Sequence, residues 1–274
     1  MSEGIYRESV NATHKFLGKS NIFNRIAISL YFHTKRIFKH HLSDSSDISK
    51  NGEELIVSLA AKKIGSFVDV GANVGDWTSI LLKYSDSPKK GILYEPSPTV
   101  FMTLKQKLSN HQGLSFRQVA VGEDEGRATL HENPKSTNVS SLISPRGSTE
   151  QTEVDIVSLD KDLLNFNIEK IDFLKIDTEG YDFQVLKGAY EFLKRQAIGL
   201  IQFEYSHNWI PASSTLKAAM NYLESCGYEV LLLKSDGLYS LNYGWYGEYF
   251  QYSNFLAISP SWSWIKEDLY RGLI

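Results

Sequence analysis

FVDVGANVGDWTSILL, residues 67–82, is the stretch whose reading decides the fold. Phe67–Val70 is short, β-branched and mostly apolar, the composition of a buried strand. Gly71, Ala72 and Gly75 then remove bulk over one tight turn. Trp77, Ile80, Leu81 and Tyr84 return at helical spacing, with Asp76 placed to cap the helix they define. A strand, a glycine turn and a helix N-terminus leave free N–H groups and little side-chain bulk, an arrangement that admits a nucleotide-like ligand.

The loop departs from the dinucleotide fingerprint G-x-G-x-x-G, because its order is Gly71-x-Asn73-x-Gly75 with Asp69 just before it. An acid there repels a pyrophosphate and attracts an ammonium. S-adenosylmethionine, with an ammonium, a sulfonium and no phosphate, meets that requirement. A plain glycine turn at a strand–helix junction is the structural alternative, and the rival functions are an NAD-dependent oxidoreductase and a non-catalytic binding module on the same fold.

Outward from this loop, strands and helices alternate. Strands are expected at Gly91–Tyr94, Leu114–Val121, Arg127–His131, Glu153–Leu159, Ile171–Ile176, Ile198–Phe203, Tyr228–Leu233 and Asn254–Ser259, and helices at Val100–Leu108, Phe183–Leu193 and Leu216–Ser225. This pattern predicts an α/β fold, a mostly parallel sheet with helices on both faces. Ligands of such sheets sit beyond the carboxyl ends of the strands, at the switch point in strand order. Glu95, before Pro96, ends the second strand, where a carboxylate accepts both hydroxyls of a ribose. Ala120 lies where an adenine is expected.

The 274 residues suffice for one large domain with a small addition, and the net charge of −3 argues against general nucleic-acid affinity. Cys226 is the only cysteine, which excludes an internal disulfide and an all-cysteine metal site. No signal peptide or membrane-spanning run is evident, so the expected location is cytoplasmic. Residues 1–42 carry seven lysines and arginines against Glu3 and Glu8, a local balance of +5. Phe23, Ile26, Leu30, Ile37 and Phe38 fall on one helical face there. The run SDSSDISKNGEE, 43–54, reads as a polar linker; residues 1–50 are taken as a helical extension with linker, and 51–274 as the catalytic domain. The extension is expected to pack on the domain or on a second subunit, with a peripheral membrane surface or acidic partner as the alternative.

The set FVDVGANVGDWT, YEPSP, QVAVGEDEG, VSLDKDL, IDFLKIDTEGYDFQVLKGA and FEYSHNW, in that order, resembles the FkbM-type methyltransferase family over about residues 64–258. Tyr181 stands where that family often has a small residue. The resemblance implies a class I, Rossmann-like, S-adenosylmethionine-dependent fold of seven strands in the order 3-2-1-4-5-7-6, the last antiparallel. It also implies O-methylation, often of a sugar or polyketide hydroxyl. Asp69, Gly71, Ala72, Asn73, Gly75, Trp77, Glu95, Pro96, Ala120 and Asp177 are then the expected cofactor contacts.

In the implied order, Asp177 and Glu179 end the strand beside the glycine loop, and Glu204 and His207 end the next one. Two readings of proton removal stay open. His207 is the general base, oriented by Glu204 or Asp177, or Asp177 and Glu204 hold a divalent metal on the acceptor oxygen. The hydroxyl-rich loop 133–150 and the aromatic stretch 238–254 are candidate acceptor-selecting segments, the latter as a stacking platform for a carbohydrate.

Overall fold

The computed structural model describes residues 10–11, 13–42, 45–87, 89–132, 140–142 and 150–274. The chain forms two compact units, residues 1–42 and 43–274. Among the described residues of the first, the main element is the 21-residue helix Asn21–His41.

The second unit is built on β1 (Ser66–Val70), every residue of which after Ser66 is buried. It pairs in parallel with β2 (Lys90–Tyr94) and with β8 (Ile171–Ile176), so Asp69 lies between Leu93 and Lys175. β2 in turn pairs with β3 (Leu114–Arg117), and β8 with β9 (Ile198–Tyr205). β12 (Ser253–Ile258) runs antiparallel to both β9 and β10 (Glu229–Lys234). The order β3-β2-β1-β8-β9-β12-β10 is the expected 3-2-1-4-5-7-6 arrangement with its antiparallel seventh strand. The long apolar strands β8 and β9 form its centre, as burial on both faces requires.

The count of seven strands falls short. β11 (Gly237–Ser240) folds back on β10, and β13 (Tyr270–Leu273) pairs with β11, which makes nine strands in the sheet. Leu114–Val121 is two strands, because the chain leaves the main sheet after Arg117. β4 (Ala120–Val121), β5 (Gly126–Glu132), β6 (Ser140–Ser141) and β7 (Glu150–Val157) form a separate sheet ordered β4-β7-β5-β6. Phe183–Leu193 is likewise two helices, Asp182–Lys187 and Tyr190–Lys194. The break falls at Gly188, where a Cβ would lie 1.9 Å from the carbonyl oxygen of Gly122. Helix Glu53–Ala60 begins inside the stretch 43–54 that reads as a linker.

Candidate active site

The turn after β1 answers why it contains glycines. Gly71 has φ +77°, and a Cβ there would lie 1.8 Å from the backbone oxygen of Asp177. The neighbouring strand end, not a ligand, forbids a side chain. Gly75 (φ +81°) faces Leu104 and Leu108 of the helix Pro98–Leu108, and it is absent from the cavity wall. Asn73 takes a left-handed conformation, φ +49°, which asparagine tolerates, and its Oδ1 accepts the N–H of Val74 at 2.7 Å. Asp76 opens the following helix without capping it and pairs with Lys107.

A cavity of about 250 Å³ opens beyond the carboxyl ends of β1, β2, β8 and β9. Of the expected cofactor residues, Asp69, Gly71, Ala72, Asn73, Trp77, Glu95, Pro96, Ala120 and Asp177 line it. The small sheet contributes an apolar wall through Ala120, Val121, Leu130 and Leu142. Glu95 braces the loop: its carboxylate accepts the N–H of Asn73 at 3.0 Å and of Ser97 at 2.9 Å. Burial pushes its pKa up to about 7, although these two N–H groups pull the other way.

At the cavity floor, carboxylates outnumber their donors. Asp69 is buried; its Oδ2 accepts the hydroxyl of Thr78 at 2.6 Å, while Oδ1 has no partner. Burial drives its pKa up to about 6 against the opposing pull of Lys175 and Thr78. Glu53 holds Asn51 Nδ2 at 2.6 Å through Oε1, and its buried Oε2 accepts no hydrogen bond. Lys175, the one lysine or arginine on the cavity wall among the described residues, places Nζ 2.8 Å from Asp177 Oδ2 and 3.9 Å from Glu53 Oε2. Burial works to lower its pKa, yet the charges of Asp177, Glu53 and Asp69 together hold it above its ordinary value. Asp177 resists the upward push of burial because Lys175 and a hydrogen bond with Glu204 hold its pKa low. Glu204 is driven well above the usual carboxylate range by burial and by the charges of Asp177, Glu179 and Asp182.

Asp182, fully buried, ties the two strand ends together. It accepts the hydroxyl of Thr178 at 2.8 Å and the N–H of Glu204 at 3.1 Å. Glu179 sits in a left-handed conformation, φ +53°, that costs a non-glycine residue roughly 1–3 kcal/mol. Ser141 Oγ donates to its carbonyl at 3.0 Å and Asn208 Nδ2 to its carboxylate at 3.0 Å, which fixes it on the cavity wall. Burial, then the charges of Asp177 and Asp182, raise its pKa to about 7.

His207 does not join the carboxylates. Ser206 Oγ accepts the N–H of Asn208, Trp209 turns inward to donate Nε1 to the carbonyl of Glu204 at 2.9 Å, and the imidazole is left exposed, off the cavity wall. Among the described residues, no three His, Cys, Asp or Glu side chains are grouped to hold a metal ion. Of the aromatic stretch, Tyr252 alone lines the cavity, and Trp245 is 84% exposed. Residues 133–139 and 143–149 of the hydroxyl-rich loop lie outside the described residues. Glu53 and Lys175 are the charged cavity residues that sequence reading does not single out, whereas Tyr252 belongs to the expected aromatic platform.

A class I methyltransferase sheet with a ligand cavity at its switch point is what this geometry defines. The family model described as "Methyltransferase FkbM domain" matches residues 69–230, and the chain belongs to that family. It is 27% identical over 144 residues to Methyltransferase 1 of Beauveria bassiana (strain ARSEF 2860), a match covering 44% of this chain and 57% of that protein. Among solved structures, the methyltransferase FkbM of Methylobacillus flagellatus KT shares 16% identity at a TM-score of 0.46, over 71% of this chain and 43% of that one. The fibrillarin of Aeropyrum pernix, solved with S-adenosyl-L-methionine, shares 12% identity at a TM-score of 0.43, over 76% of each chain. The chain thus spans about half the length of the first two.

Proposed function

We propose that this chain is an S-adenosylmethionine-dependent O-methyltransferase acting on a hydroxyl of a sugar, glycoconjugate or related small molecule. One observation carries the cofactor reading: the buried carboxylate oxygens Asp69 Oδ1 and Glu53 Oε2 at the cavity accept no hydrogen bond, and Glu53 Oε2 has only the Lys175 ammonium 3.9 Å away. Burying an acceptor without a donor is costly, so these oxygens fit a ligand that brings its own ammonium. Glu95 suits ribose hydroxyls, and the apolar wall of the small sheet suits an adenine face. When bound, the cofactor supplies an electrophilic methyl group on a sulfonium.

The residues of the chain then orient the acceptor and remove its proton. Glu179 is the best-placed base, since it lines the cavity and its pKa of about 7 matches neutral operation. The Lys175–Asp177 pair and the Glu204 carboxyl flank it and set its charge environment. Tyr252, with its hydroxyl 3.5 Å from both Asn51 Nδ2 and Asn254 Nδ2, closes the same side and offers the acceptor a hydrogen bond. Incubation with S-adenosylmethionine and a panel of sugar hydroxyl acceptors, read by mass spectrometry, should give S-adenosylhomocysteine together with a methylated product. Saturable binding of NAD in place of S-adenosylmethionine would overturn the reading.

A further inference from the structure

We propose that the helix Asn21–His41 is a surface anchor that lies on an anionic lipid bilayer. No residue of this helix is buried, and its exposed side chains include Ile22, Phe23, Ile26, Leu30, Tyr31 and Ile37. At 100° per residue these six fall within one half of the circumference. Arg25, Lys35, Arg36 and Lys39 fall within the other half, alongside Ile28 and Phe32. The helix contains no aspartate or glutamate, and none occurs between Glu8 and Asp44. At roughly 1.5 Å per residue it is long enough for about 30 Å of contact in the plane of a surface.

Charge selects the occupant. With −3 for the whole chain and +5 for residues 1–42, the remainder stands at −8. By net charge, an anionic surface therefore attracts this segment and opposes the remainder of the chain. A basic polar face opposite an apolar one is the composition of a helix lying in the headgroup region, with its apolar side toward the acyl chains. No described helix is long and apolar enough to cross a membrane, so the contact is peripheral.

The test uses the full chain and flotation with vesicles of phosphatidylcholine alone or mixed with phosphatidylserine. Partitioning onto the anionic vesicles should exceed that onto neutral ones at least about tenfold and should weaken in high salt. The double variant Lys35→Glu/Arg36→Glu should lose most of that partitioning, and Leu30→Asp should lose it as well. Circular dichroism should match the parent for both, since the altered side chains are on the surface. Equal binding to both vesicle types, or unchanged binding by the charge-reversed variant, would overturn the proposal. So would light scattering that shows a dimer in the parent and a monomer in Leu30→Asp, which would make a second copy the occupant.

Discussion

Glu248 and Glu204 are both acids set among aromatic rings in the second half of the chain, yet their surroundings are opposite. Glu248 receives four donors: the hydroxyls of Tyr205 and Tyr243 at 2.8 and 2.7 Å, and the N–H groups of Leu216 and Lys217, each at 2.9 Å. Burial pushes its pKa up, but these donors prevail and hold it below the usual value. It closes the N-terminus of the helix Leu216–Ser225 and pins the aromatic stretch to β9. Glu204 shares the cavity wall with Asp177, Glu179 and Asp69, where Lys175 is the one lysine or arginine among the described residues. The two regions are equally rich in suggestive residues. The ratio of donors to acceptors is what separates scaffold from site, because a buried group left short of partners is stabilised only by what binds there.

The change that strikes this contrast hardest is Lys175→Met. Removing the one cation from a buried carboxylate group should destabilise the fold by about 3–5 kcal/mol at neutral pH. Asp69, Glu95, Glu179 and Asp182 all have pKa values raised to about 6–7. Between their unfolded and folded values the native state binds more protons than the unfolded one, so stability falls as pH rises through that window. Urea unfolding should therefore show the parent protein more stable at about pH 5.5 than at about pH 8, and the deficit of Lys175→Met should be larger at the higher pH. A pH-independent deficit would mean that the lysine acts only through packing.

Next in size is Glu179→Gln, which should lower kcat by roughly 10²–10⁴-fold and abolish a rise in rate through about pH 7. His207→Ala, exposed in the turn after β9, should change kcat by less than about threefold; a large loss there would reinstate the imidazole as base. Glu248→Ala should cost about 1.5–3 kcal/mol of stability and leave cofactor affinity intact, which differential scanning calorimetry and titration together would show. Smallest of all, Trp245→Ala should move stability by no more than about 0.5 kcal/mol. A rise in acceptor KM for that variant would restore the platform role to the aromatic stretch.

The architecture was legible because it rests on periodicity. Ile171–Ile176 and Leu216–Ser225 announce themselves by apolar spacing, and Asp69 and Asp177 by their place at strand ends. Residues that act through tertiary placement were not legible. Glu53 sits in a run of small polar residues that reads as linker, and only folding brings it within reach of Lys175 from the far side of the sequence. Lys175 was hidden inside an apolar run, where one charge is lost among its neighbours. His207 follows Glu204 closely enough to suggest a shared site, but burial of Trp209 decides which way the turn faces. The purpose of Gly71 was also misdirected by local reading, since the atom that forbids a side chain there belongs to Asp177, about a hundred residues on.

The central claim is that the donor-poor carboxylates of the cavity await a cationic ligand. Calorimetric titration of S-adenosylhomocysteine near neutral pH, in two buffers of different ionisation enthalpy, tests it directly. Its ammonium should favour the charged forms of Asp69 and the acids around it, so binding should release protons to the buffer. Saturable binding with net proton release is the predicted result. Binding with net proton uptake, or no binding at all, would contradict the account.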